Sequence, residues 1–562
     1  MRDEARGLTI VFNGEIYNFR ELRDELEQCG YVFRSSSDTE VLLAAYDVWD
    51  TDCLSRLNGM FAFAIHDARR QRVFMARDRA GEKPLFYHVA NGTLRFASEL
   101  KALLADASLP RRISPEAFDC YLAMGFVPGD RCILQGFHKL PPAHALTFDL
   151  TAGTARVWRY WQLPELEPQA DTGAVDEAAL LDELEALLEN AVGRQLLADV
   201  PVGVLLSGGV DSSLITAMAV RQASKVKTFT IGFPGHGKLD ETGHARLIAR
   251  HFGTQHTELM AEPATADLLP CLARQFDEPM VDSSTIPTFL VSQLVRQHCT
   301  VALGGDGGDE LFGGYGHYSR LLWMQRRLGF FPYPLRQLTA LAAERFLPLG
   351  FANSNIRTWL MASSEDLRYG LPQIASCFDA TIRRKLMAAY PGYGLVAEAI
   401  HRDCVPRHLD LLQRATRMDF QNYLAEDILV KVDRASMLNS LEVRAPLLDY
   451  RLIEFAFGKV PSYLKATAQE KKILLKRLTA RVLPPEFDRQ RKQGFSIPLA
   501  EWLKGGAYRT LFNEVLRDSQ CSFDARTVNG LLRGQDRGRS NGERLFALVL
   551  FELWRREYGV TF

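Results

Sequence analysis

PVGVLLSGGVDSS, residues 201–213, runs from the apolar stretch Pro201–Leu206 straight into a Gly- and Ser-rich turn, which opens a helix continuing through ITAMAV. A buried strand, a small-residue turn and a helix in that order form the repeating unit of parallel sheets. Working outward, VKTFTIGF (226–233) reads as a second strand, GHARLIARHFG (243–253) as a helix, and QHTEL (255–259) as a third strand. CTVALGGDGGDE (299–310) reads as a fourth, ending in another Gly-rich turn. The alternation predicts an α/β parallel sheet covered by helices, and helical spacing across residues 320–555 predicts a helical C-terminal subdomain.

In the first turn, Gly208 and Gly209 let backbone N–H groups approach a phosphate, and Ser207, Ser212 and Ser213 supply hydroxyls. The helix behind them adds its positive N-terminal end, so the turn is suited to cradle pyrophosphate. Asp211 in the same turn would repel phosphate unless a divalent cation bridged them, which makes it a candidate Mg²⁺ contact. The spacing is neither GxxxxGK[ST] nor GxGxxG, so a P-loop phosphotransferase and a Rossmann dehydrogenase are poor fits. VALGGDGGDELFGGY (301–315) sets Asp306, Asp309 and Glu310 at a strand end, where one carboxylate can meet a metal and another an incoming amine.

The N-terminal part has a different grain. LTIVFN (8–13), MFAFAIHD (60–67), RVFMARD (72–78) and LFYHV (85–89) read as short strands, with helices at Phe19–Cys29 and Glu40–Trp49. This predicts a layered α+β domain, to which HALTFDL (144–150) and RVWRYW (156–161) add a further sheet element. LPELEPQADTGAVDE (163–177) is the linker candidate, dividing the chain into residues 1–168 and 169–562, and a long helix follows over Glu177–Asp199.

The formal charge is −1, from 67 Lys plus Arg against 68 Asp plus Glu, so no overall charge excess points to nucleic acid or an anionic membrane. Nine scattered Cys form neither a disulfide scaffold nor paired metal knuckles. No apolar stretch reaches a spanning length, and the cytoplasm is the expected compartment.

FNGEIYNFRELRDEL (12–26) and SSDTE (36–40), followed by SGGVDSS, GGDGGDELFGGY, KVDRASM (431–437) and LEVRAPLLDY (441–450), resemble the glutamine-hydrolysing asparagine synthetases in order and over nearly the whole chain. That resemblance implies a class II glutamine amidotransferase domain, a layered sandwich of the N-terminal nucleophile type and incomplete here, followed by an N-type ATP pyrophosphatase domain. It implies that Leu205 and Gly305 frame the adenine nucleotide of ATP, with Ile231 and Gly304 among the nucleotide-binding positions. Ser207, Gly208, Gly209, Asp211, Ser212 and Ser213 would surround pyrophosphate, and Asp211 and Asp309 would hold Mg²⁺. Asp306 stands where some members carry Glu, a residue handling ammonia and the acyl-adenylate. Lys471 in QEKKILLKRL (469–478) looks like the lysine that stabilises the adenylating phosphate, although local sequence does not separate it from Lys472. Arg434 and Arg444 are read as organisers of the helical wall or contacts to an acidic substrate.

In the first domain the resemblance implies that Asn13 and the Gly14 N–H stabilise an oxyanion, while Glu15 and Asp38 recognise the glutamine α-amine. The expected catalyst is an N-terminal Cys whose own amine is the base. Here Met1 precedes Arg2 and the nearest thiol is the internal Cys29. The expectation is a missing leading segment, from a misplaced or truncated start or from true loss of glutaminase, with free ammonia still usable. Expected partners are aspartate with glutamine or ammonia, and a second copy in a homodimer. The rival readings are a related amidotransferase acting on a cell-surface sugar or secondary-metabolite carboxylate, and a catalytically silent homologue.

Overall fold

The computed structural model describes the chain apart from residues 167–174, 233–240, 261–265, 329, 350–355, 369, 373–376, 389, 391–392 and 491–498. The middle of the linker candidate therefore lies outside the described residues.

In the N-terminal part, β1 (Arg2–Asp3), β2 (Leu8–Ile16), β3 (Gly59–Asp67) and β4 (Arg72–Arg77) lie side by side. With β8 (His144–Asp149) and β9 (Thr154–Arg159) they make a six-stranded antiparallel sheet ordered β1-β2-β3-β4-β8-β9. β5 (Phe86–Ala90), β6 (Thr93–Ala97) and β7 (Phe137–Lys139) form a second, three-stranded sheet. The nearly unbroken apolar run of β3 now has a cause. Phe61, Phe63 and Ile65 pack with Leu22, Leu26, Val41 and Tyr46 of the helices Phe19–Gln28 and Asp38–Trp49. Ala62 and Ala64 pack on the other side with Leu85, Tyr87 and Leu140 around the small sheet. A strand covered on both faces has no reason to alternate polar and apolar residues. The layers are helix, large sheet, small sheet.

The third sheet is wholly parallel, ordered β12-β11-β10-β13-β14, where β10 is Val202–Leu205, β11 Lys227–Gly232, β12 Gln255–Met260, β13 Val301–Leu303 and β14 Glu442–Arg444. All four strands read from the sequence are present. The fifth, only three residues inside LEVRAPLLDY, is too short to announce itself. Helices Glu177–Gln195 and Val210–Gln222 cover one face through Leu184, Leu188, Leu214 and Met218 against Val204 and Leu303. Helix Thr285–Val295 covers the other through Val291 and Val295 against Phe229, Ile231 and Ala302. Gly203 belongs to β10 because a Cβ there would meet the Phe229 ring at 2.5 Å and Cys299 Sγ at 3.0 Å.

Apart from β14, the elements described after Gly316 are helices, and the largest core there is built around helix Gly542–Glu557. Helix Pro115–Met124, from ahead of the linker, is embedded in that core: Tyr121 Oη donates to the Ala547 carbonyl at 2.7 Å, and Arg383 pairs with the fully buried Asp119 at 2.7 Å. One continuous helical rod, Leu411–Met418, Asp419–Ile428 and Leu429–Met437, is π-helical in its middle ten residues.

Candidate functional site

The two Gly-rich turns leave the carboxyl ends of adjacent parallel strands, β10 and β13, where open α/β sheets place their ligands. After β10, Gly208 takes a left-handed backbone (φ +71°), and Gly209 is the N-cap of helix Val210–Gln222. Ser212 Oγ accepts from the Ser207 N–H at 3.2 Å and bonds Ser207 Oγ at 3.0 Å, and Ser207 Oγ in turn accepts from the Gly209 N–H at 3.3 Å, so hydroxyls brace the turn. A Cβ on Gly208 would lie 2.6 Å from His244 Cβ and 2.7 Å from the Ala245 nitrogen. Gly208→Ala is expected to cost about 1–3 kcal/mol through backbone strain and this clash. It should also weaken nucleotide binding; thermal unfolding and an ATP titration check both.

After β13, Gly304 N–H donates to the Arg444 carbonyl at 2.8 Å, and the position of a Gly305 Cβ is 3.1 Å from Asp211 Cβ. These glycines bring the acidic turn against the first turn. Gly308 continues the approach, since a Cβ there would sit 2.6 Å from Asp211 Oδ1. The result is that Asp211 and Asp309 face one cation, the Nζ of Lys472. Asp309 Oδ1 lies at 2.6 Å, and Asp211 Oδ2 makes a still closer ion pair. Burial alone would depress the Lys472 ammonium, but the two carboxylates outweigh it and hold its proton above the ordinary lysine range.

The lysine in the cleft is therefore Lys472, one residue beyond the Lys471 read from sequence. Lys471 is held in a bridge with Ala466. Lys472 then adopts a left-handed backbone (φ 52°, ψ 41°) as it enters helix Ile473–Val482, and its own side chain, not that of Lys471, reaches the site. A Gly314 Cβ would overlap both Asp309 Oδ1 and Lys472 Cε, so that glycine is required by the close approach.

Other sequence-read positions separate. Leu205 is half-buried at the end of β10, whereas Ile231 is buried in the core between sheet and helices. Ser213 is fully buried, its hydroxyl without a hydrogen-bond partner among the described residues, so it lies under the turn rather than on its surface. Asp306 is half-buried beside the same turns. Burial raises its pKa, Lys431 opposes the rise, and Asp211 and Asp309 add to it. Glu310 is buried with Tyr315 Oη donating to it at 2.5 Å; burial first and Asp309 second push its pKa to about 8. A carboxyl raised in this way favours folding most below its ordinary 4.5, and that contribution is lost as pH rises through about 8. Glu310→Gln should flatten the decline of the unfolding midpoint across that window.

Asp211 and Asp309 also suit a divalent ion. Two carboxylates converging on one cation position, with substrate phosphates to complete the shell, are the usual Mg²⁺ arrangement. No cluster of three His, Cys, Asp or Glu able to hold a metal occurs among the described residues.

Of the charged groups on the rod, sequence reasoning singled out Arg434 and gave no role to Glu426, Asp427, Lys431 or Asp433. Lys431 Nζ donates to Asp282 Oδ2 at 2.8 Å and Ser284 Oγ at 2.9 Å. Burial and the Asp282 charge push the Asp427 carboxyl well above the carboxylate range, while at Asp282 burial is outweighed by Lys431 and hydrogen bonds, which bring its carboxyl below that range. Glu426 receives Lys139 at 2.6 Å and Arg77 at 3.4 Å. Lys83 pairs with Asp433 at 2.9 Å. Arg434 pairs with Asp277 at 2.5 Å and donates to the Ser98 carbonyl at 2.8 Å. Arg77, Lys83 and Lys139 of the N-terminal part and Asp277, Asp282 and Ser284, from between helices Leu268–Gln275 and Thr285–Val295, thus meet on the rod, and Arg434 is an organiser of the junction.

On the first sheet, Asn13, Gly14 and Glu15 follow one another along β2. Gly14 is required there, since a Cβ would lie 2.0 Å from the Met60 carbonyl oxygen. Asn13 Nδ2 donates to Ser98 Oγ at 3.3 Å, and Asp38 accepts from the Ile16 N–H at 3.1 Å. Glu15 faces Arg444 at 3.5 Å; burial pushes its pKa to about 7, Arg444 opposes that, and Glu442 and Asp38 add to it. Arg444 also donates to the carbonyls of Gln195 (3.0 Å) and Leu197 (2.8 Å), which makes it an organiser too.

The family model described as asparagine synthase matches residues 183–556, and that of a glutamine amidotransferase domain matches residues 1–161. A provisionally named asparagine synthetase [glutamine-hydrolyzing] of Mycobacterium tuberculosis (strain H37Rv) is 34% identical over 97% of this chain and 84% of its own length. Asparagine synthetase [glutamine-hydrolyzing] 1 of Bacillus subtilis is 31% identical over 97% of this chain and 85% of its own. The amidase chyE of Penicillium rubens is 27% identical over 92% and 81%. With its two Gly-rich turns and paired carboxylates on one domain match and its Asn-Gly-Glu strand on the other, the chain belongs to the asparagine synthase family of ligases and carries a glutamine amidotransferase domain.

Proposed function

We propose that this chain joins ammonia, supplied free or by glutamine hydrolysis, to the side-chain carboxylate of aspartate through an acyl-adenylate. The observation that carries the reading is the convergence of Asp211, Asp309 and Lys472 beside a Gly-rich turn at a helix N-terminus. A carboxylate oxygen of aspartate attacks the α-phosphorus of ATP, and the bond to the departing pyrophosphate breaks. The turn at Gly208 and the helix N-terminus behind it offer N–H groups to that pyrophosphate, and Lys472 stabilises charge on the phosphates where it develops. Mg²⁺, held by Asp211 and Asp309, would neutralise the phosphate oxygens. Ammonia then attacks the acyl carbon, AMP leaves, and Asp306 accepts the proton that nitrogen sheds. Its raised pKa suits that step.

Incubating the protein with ATP, Mg²⁺, ammonium and aspartate should give asparagine, AMP and pyrophosphate in equal amounts. Folded, ATP-binding protein that forms none of them would defeat the reading. A larger acceptor carboxylate is the second reading, favoured by a cavity of about 1020 Å³ behind Ala466 and Thr467, lined also by Arg326, Arg336 and Arg414. Turnover with a bulky carboxylate that aspartate does not inhibit would select it.

A further inference from the structure

The apolar side chains that most lack an explanation lie on helix Tyr333–Phe346 and on the stretch that joins it to helix Gly316–Leu328. The second helix turns Ala340 and Ala343 inward, yet Leu335, Leu338, Leu341 and Phe346 on the outward side are 48%, 63%, 61% and 76% exposed. Phe330 and Phe331 between the helices are 82% and 56% exposed, and Trp323 on the first helix is 53% exposed. A helix apolar on both sides is not finished by its own fold, and patches of this kind mark a protein or membrane contact.

Charge decides between occupants. Residues 316–346 contain five arginines, Arg320, Arg326, Arg327, Arg336 and Arg345, against one acid, Glu344. Arg320, Arg326, Arg327 and Arg345 are exposed around the apolar side chains. Two copies of this face brought together would oppose like charge, whereas an anionic lipid surface would take both the arginines and the aromatic and aliphatic side chains. No helix among the described residues is long and apolar enough to cross a membrane. The contact would lie in the interface.

We propose that the outward side of helix Tyr333–Phe346, with Leu335, Leu338, Leu341 and Phe346, together with Phe330 and Phe331 just ahead of it and the arginines of this stretch, docks this chain on an anionic phospholipid bilayer. The near-zero net charge of the whole chain conceals a basic, apolar segment, residues 316–346, that provides the contact. The docking is independent of the ligase reading, because none of these residues belongs to the Asp211–Asp309–Lys472 site.

The test is co-sedimentation of the full chain with vesicles of phosphatidylcholine alone and of phosphatidylcholine mixed with phosphatidylglycerol. Binding is expected only to the mixed vesicles and should weaken with salt. Arg326→Ala and Arg327→Ala should each lower affinity about fivefold. Leu338→Glu with Phe346→Glu should abolish binding while leaving vesicle-free ligase turnover unchanged. Three results would overturn the proposal: no binding to the mixed vesicles, equal binding to both kinds, or a dimer by light scattering that the double glutamate variant converts to monomer. The last would assign the face to a second copy.

Discussion

Lys472→Ala is expected to lower ligase turnover by about 10²–10³-fold, the scale of losing one preorganised charge at the reacting phosphates. The loss should fall on kcat more than on the KM for aspartate, because the ammonium would act where charge develops rather than where the acceptor binds. The substitution also leaves Asp211 and Asp309 facing each other with no cation between them. In the nucleotide-free protein they should then take up Mg²⁺ more tightly than in the wild type, since the ammonium no longer competes; calorimetric titration reads this directly. Lys471→Ala, one position away, is the control and should retain most activity. If Lys471→Ala were the inactive variant and Lys472→Ala the active one, the ion pair described above would not be the reacting arrangement.

Glu426→Gln carries the second large effect, on stability. Glu426, Arg77 and Lys139 are all buried, and the carboxylate is the shared acceptor of both cations. Breaking a buried pair by neutralising one partner costs about 3–5 kcal/mol, because the remaining charge stays out of water. Lys139 keeps Glu278 at 3.1 Å, whereas Arg77 is left with carbonyl oxygens. The expected outcome is a lower first transition in urea unfolding, with the N-terminal sheet released from the rod before the parallel sheet melts. A single transition at the wild-type midpoint would show that the junction does not depend on this pair.

Local signals explain which parts of this arrangement could be read in advance. β10 and its turn were legible because strand, glycines, serines and helix are contiguous, and each step of that order has a physical reason. The same holds for Asp309, which closes a Gly-rich turn at a strand end. Lys472 was not separable from Lys471, because adjacent lysines before a helix look alike until the backbone turns left-handed at one of them. Ser213 and Ile231 have suitable chemistry and position, but burial, which depends on distant partners, removes them from the surface. Glu426 and Arg77 are 349 residues apart in sequence, and no local pattern relates them.

The π-helical stretch Asp419–Ile428 has an evolutionary consequence. A wide turn of this kind is equivalent to an α-helix that has accepted an extra residue, at some loss of hydrogen-bond quality. Deleting one residue within it would let the ordinary ladder close, and would rotate everything downstream by about 100°. Lys431, Asp433 and Arg434 would then swing away from Asp282, Lys83 and Asp277. A one-residue deletion that makes the rod a better helix should therefore make a worse enzyme, and the insertion should persist in descendants for as long as the two halves must stay in register.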